Sequence, residues 1–126
     1  MAGMTLDSGA IIAHERADRA VIAHLKEALI SGIELTVPTA VVVEVWRGGP
    51  RAARTAKLLA ACIVEPLSEP LARTAGEALG VVRGAGVVDA IVMASASTRG
   101  DRVLSSDPGD LGRLTGVFPK VTVVRI

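Results

Sequence analysis

The chain has 126 residues and a net charge of +1; half of it is hydrophobic, yet it carries one Trp, one Phe and no Tyr. That size suits one domain, 1–126, with one core built from Ala, Val, Leu and Ile. Near-neutrality excludes the global basic field that marks general nucleic-acid binders, though not a local basic patch. The single cysteine, Cys62, excludes an intramolecular disulfide and any Cys-rich zinc site.

Residues 4–6 form a short apolar strand, the first, and Asp7-Ser8-Gly9 turns out of it into a brief helix over 9–15, with Asp7 or Ser8 as its cap. Asp18 suits the N-cap of the next helix, whose Val21, Leu25, Ala28 and Leu29 share one face. Gly32 stops that helix. A second strand is expected over 33–37, ended by Pro38, with Thr39 capping a helix to about residue 47. Arg47-Gly48-Gly49-Pro50 is the clearest break. A helix over 51–61 then sets Arg51, Arg54 and Lys57 along one side, and a third strand covers 63–65.

Ser68 or Glu69 opens a helix to about residue 83, and Gly84-Ala85-Gly86 separates it from another over 88–99, closed by Gly100. A fourth strand over 103–105, a short helix over 108–114 and a fifth strand over 121–124 complete the chain. Strands alternating with helices predict a mostly parallel sheet covered on both faces. Charged residues interrupt every apolar run before it is long enough to span a bilayer. The N-terminus lacks the basic and apolar regions of a signal peptide, so the cytoplasm is the expected compartment.

Four acids sit beside apolar runs. Glu44 lies in VVVEVW, where a carboxylate either points to the edge of the core or is buried with a partner, because burying it unpaired costs several kcal/mol. Asp89, in GAGVVDAIVMASAS, suits the first turn of its helix, where it meets the positive end of the dipole. Asp107 stands before Pro108 as an N-cap would, with Asp110 three residues on. Asp7 follows strand one as a cap or turn residue.

Each acid taken singly therefore has a structural explanation. Together they carry more. Right-handed crossovers put the carboxyl ends of parallel strands, and the helices that follow them, on one side. Carboxylates converging there would repel one another unless a divalent cation held them, and hard oxygen ligands suit Mg²⁺ or Mn²⁺ rather than zinc.

This set, with Asp7-Ser8, Glu44, Asp89-Ala90 followed by small residues, and Ser105-Ser106-Asp107, resembles the PIN domain. The VapC-type ribonuclease toxins of bacterial toxin–antitoxin pairs are the closest likeness, which runs from Met4 to Val124. The resemblance implies a three-layer α/β/α fold with a five-stranded parallel sheet and a Mg²⁺- or Mn²⁺-dependent endoribonuclease site. Asp7, Glu44, Asp89 and Asp107 match the family's acidic quartet. Asp7, Asp89 and Asp107 are the expected metal ligands, and Glu44 a ligand or a residue that orients water. Ser105 matches a supporting hydroxyl and Asp110 an extra acid of variable role. An RNA substrate, a homodimer and a cognate antitoxin are implied as partners.

Arg47, Arg51, Arg54 and Lys57 are the densest basic run, a solvated helix face or a contact for RNA phosphates. Trp46 suits a core or interface anchor, and Ala and Val on the first two helices suit an apolar groove for a partner. His14 and His24 have no spaced partners for a zinc site and suit surface or boundary positions. Two other readings compete. A phospho-receiver domain would need an acidic pair near Asp7 and a lysine after the last strand, but Lys120 precedes it. A PIN-like module without catalysis would keep the fold and bind RNA or protein.

Overall fold

The computed structural model describes residues 2–106 and 108–126. The chain runs β1 (Met4–Leu6), α1 (Ser8–Glu15), α2 (Arg19–Ile30), β2 (Leu35–Pro38), α3 (Thr39–Val45), a 3-10 turn (Pro50–Ala52), α4 (Ala53–Ala60), β3 (Ile63–Glu65), α5 (Glu69–Val81), α6 (Val87–Arg99), β4 (Arg102–Ser105), α7 (Gly109–Leu114) and β5 (Thr122–Arg125). The sheet order is β3-β2-β1-β4-β5, and all four pairings are parallel. The chain steps one way from β1 to β3 and the other way from β4 to β5. Right-handed crossovers therefore place α1–α4 on one face and α5–α7 on the other, giving three layers. The direction reverses between β1 and β4, whose carboxyl ends make the topological switch point.

Local chemistry explains the boundaries. Asp18 accepts from the backbone of Ala20 and Val21 and caps α2, whose Val21, Leu25 and Ala28 are buried. Gly32, at φ 74°, turns the chain out of that helix, and Ile33 donates its N–H back to Ala28. That bond keeps Ile33 out of the sheet, so β2 begins at Leu35 rather than at 33. Thr39 is not a cap. Pro38 takes the N-cap position, and the Thr39 hydroxyl accepts from Leu67 N at 3.2 Å, pinning the segment after β3. The helix expected over 51–61 starts with a tighter turn because Pro50 leads it.

Helix α6 is the core element. Seven consecutive residues, Ala90 to Ala96, are buried, so it is enclosed on all sides rather than on one stripe. Its alanines let α5, α7 and the sheet approach closely. It ends at Gly100, next to the start of β4, so its N-terminus lies at the opposite sheet edge with the carboxyl ends of β1 and β4.

At the other end of α6 lies a buried polar network that sequence patterns gave no sign of. Asp101, 1% exposed, accepts from Gly3 N at 3.0 Å, Thr5 Oγ1 at 2.9 Å and Arg99 Nε at 2.9 Å. Arg99 also donates to Glu65, Thr5 and Ser95, tying β1, β3, β4 and α6 together. Among the described residues, no helix is long and apolar enough to cross a membrane.

Candidate active site

Asp7 leaves β1 in extended conformation and caps α1, its Oδ1 accepting from Ala10 N at 2.8 Å. Its Oδ2 accepts from Ser105 Oγ, at the end of β4, at 2.6 Å. Asp7 is 5% exposed and Ser105 fully buried. A carboxylate this buried is tolerable because backbone and hydroxyl donors meet it and because it faces the positive end of α1. The cap expected from the sequence and the strand-end acid are thus the same residue. Gly9 packs so closely against Asp7 and Ser106 that a Cβ there would stand 2.7 Å from Ser106 Oγ and 3.4 Å from Asp7 Oδ1.

Glu44 is solvent-exposed, on the turn of α3 that reaches α1. Its Oε1 accepts a short hydrogen bond from Ser8 Oγ. Of the two sequence alternatives for Glu44, the edge position holds: Val41 and Val45 are the buried residues of α3, while Val43 and Trp46 are exposed. Trp46 is therefore a surface residue at the end of α3 and not a core anchor.

Asp89 occupies the first turn of α6, three residues after the N-cap Gly86. Asp110, in the first turn of α7, reaches across so that its Oδ2 accepts from Gly86 N at 3.0 Å. The site residues thus form two groups at the same sheet edge: Asp7, Ser8, Glu44 and Ser105, and Asp89 with Asp110 across Gly86. Asp107 lies outside the described residues. Among the described residues, no three acid, imidazole or thiol side chains converge as a metal-holding group. The donors at this edge are carboxylate and hydroxyl oxygens, a set that fits a hard divalent cation and not zinc.

The basic run divides. Arg47 folds back on its own helix, donating to Val43 O at 3.3 Å and Trp46 O at 3.0 Å. Arg54 donates to Glu15 O at 3.2 Å and so covers the end of α1. Arg51, Arg54 and Lys57, with Glu15 and Pro50, line an open groove of about 570 Å³. His14 sits half-buried beside it; burial first, and the Arg54 charge second, lower its pKa from the ordinary 6.5. His24 is exposed, as expected. The Cys62 thiol donates to Leu58 O at 3.2 Å, and burial pushes its pKa up to about 11, which makes it an inert packing residue.

The Ser8–Glu44 and Gly86–Asp110 contacts have no signature in the sequence. Both join residues far apart in the chain, and neither leaves a local pattern.

The fold matches solved structures along nearly its whole length. VapBC from Salmonella typhimurium bound to DNA aligns with TM-score 0.78 and 13% identity, covering 99% of this chain and 98% of that one. VapBC2 from Rickettsia felis, bound to a promoter DNA fragment, gives 0.75 and 13%, covering 98% of each chain. VapBC-5 from Mycobacterium tuberculosis, a member of the VapBC family of toxin–antitoxin systems, gives 0.66 and 21%, covering all of both. No curated protein matches the chain in sequence. The sequence over residues 4–115 matches the PIN domain, in keeping with the parallel sheet and its acid-bearing switch point, and the chain belongs to the PIN domain family.

Proposed function

We propose that the protein is a Mg²⁺- or Mn²⁺-dependent endoribonuclease and the toxin of a toxin–antitoxin pair. One observation carries the reading: Asp7 at the end of β1 and Ser105 at the end of β4 are hydrogen-bonded at the switch point, and Ser8 draws the exposed Glu44 to the same edge. In this reading Asp7 and Asp89, with Asp107, hold the metal, and Glu44 holds or orients the attacking water. A bound divalent ion supplies the charge that activates water and offsets the phosphodiester's negative charge. Ser105 and Ala10 N–H fix the Asp7 carboxylate before any ion arrives, which lowers the ordering cost of binding.

The groove of Arg51, Arg54 and Lys57 receives RNA phosphates, whereas Arg47, turned onto its own helix, contributes less. The similar solved structures are toxin–antitoxin complexes, which supports a cognate antitoxin as partner. Exposed Leu29 and Ile30 on α2, Val43 on α3 and Trp46 just past its end offer apolar surface for the antitoxin or for a second copy in a homodimer.

Induced expression in a bacterial host tests the proposal. Growth arrest is expected from the parent chain and not from Asp7→Asn at equal protein level. Arrest by both variants, or by neither, would count against it.

A further inference from the structure

Asp110 is an acid at the site edge to which the proposed chemistry gives no task. Its Oδ2 accepts from Gly86 N at 3.0 Å, and its Oδ1 accepts from Arg113 Nη1 at 3.1 Å. Arg113 Nη2 in turn donates a short hydrogen bond to Arg83 O. One carboxylate–guanidinium pair on α7 therefore holds two backbone points, residues 83 and 86, of the turn that launches α6.

Within that turn Ala85 N–H donates to Val82 O at 3.4 Å. The N-cap of α6 is Gly86, which has no side chain to cap the helix. Asp110 supplies from another helix what the glutamate of a capping box supplies from within, an acceptor for the N-cap N–H. Its charge also lies near the positive end of α6. As an ion pair, Asp110–Arg113 is too exposed to contribute much, with side chains 34% and 49% accessible. Its consequence lies in the backbone it ties down.

Asp89 is the residue that this tie places. A Cβ on Gly86 would stand 3.3 Å from Asp89 Oδ2 and 3.7 Å from Asp110 Oδ2, so both carboxylates flank the same side of Gly86. We propose that Asp110 is a positioning residue. With Arg113 it fixes the N-terminus of α6, and hence the Asp89 carboxylate, and it does not ligate metal. The effect on catalysis rests on the nuclease reading; the clamp itself does not.

The test combines amide hydrogen exchange, Mn²⁺ titration and RNA cleavage on the full chain. In Asp110→Ala, exchange over residues 86–89 should quicken by roughly tenfold, as loss of a hydrogen bond to a charged acceptor implies. Its kcat should fall with KM unchanged. Asp110→Asn keeps an acceptor oxygen for Gly86 N–H, so it should recover most of the exchange protection and bind Mn²⁺ nearly as the parent does. Arg113→Gln should quicken exchange less than Asp110→Ala. Unchanged exchange in Asp110→Ala would overturn the clamp. Loss of Mn²⁺ binding in Asp110→Asn as complete as in Asp89→Asn would make Asp110 a ligand and overturn the assignment. If the parent neither binds Mn²⁺ nor cuts RNA, the nuclease reading fails, and exchange alone decides the clamp.

Discussion

Ser8 follows the Asp7 cap directly and gives its hydroxyl to Glu44, an acid 36 residues away. Glu44 is exposed, so without that bond its side chain would sample many rotamers. Ser8→Ala should leave the fold intact and lower kcat by roughly tenfold, the usual effect of losing a hydrogen bond to a charged group; single-turnover RNA cleavage measures it. His14 gives a second prediction. Burial and Arg54 lower its folded pKa below 6.5, so the unfolded chain binds the extra proton first as pH falls. Its neutral form contributes stability that is complete above about pH 6.5 and is lost on acidification from there toward the lowered pKa. His14→Gln should therefore flatten the stability profile below pH 6.5 in urea melts, and an unchanged slope there would contradict this. The acids were legible as residues because a carboxylate in an apolar run needs a reason. Their hydrogen-bond partners were not, since Ser8, Ser105 and Gly86 are ordinary turn and strand-end residues until the fold brings them together.

Helix α6 joins the two ends of the molecule that matter: Asp89 at its start, and the Arg99–Asp101 network just past its finish. Replacing Asp101 by Ala would take away the acceptor of the Gly3 N–H and of the Thr5 hydroxyl proton and strip Arg99 of one of its two acids. Asp101→Ala should cost about 3 kcal/mol and lower Tm by roughly 10 °C, by calorimetry. A change of under a degree would show that Glu65 alone suffices for Arg99. Elements with local signatures were readable in advance. The Asp18 cap, the spacing of Val21, Leu25, Ala28 and Leu29, and the Gly32 stop predicted α2, although Leu29 lies at the margin of that face and is exposed; 63–65 was the third strand as expected. Thr39 departs from its expected capping role because its hydroxyl serves Leu67, a long-range partner that overrides a local capping preference. The Asp101 network escaped for the same reason, since its bonds to Gly3 and Thr5 span 98 and 96 residues.

At the scale of the whole molecule, strand order settles where chemistry can occur. Because β1 and β4 are neighbours whose crossovers leave in opposite directions, their carboxyl ends form the switch point, where Asp7 and Ser105 meet in a hydrogen bond. Alternation of strands and helices in the sequence implied a parallel sheet, but the order β3-β2-β1-β4-β5 is a consequence of long-range pairing that no local pattern encodes. The most direct measurement is cleavage of total cellular RNA by the purified protein with Mg²⁺ or Mn²⁺, against EDTA and Asp89→Asn controls. Discrete metal-dependent cuts that disappear in both controls are expected. Cuts that persist in Asp89→Asn, or no cuts together with no Mn²⁺ binding, would contradict it.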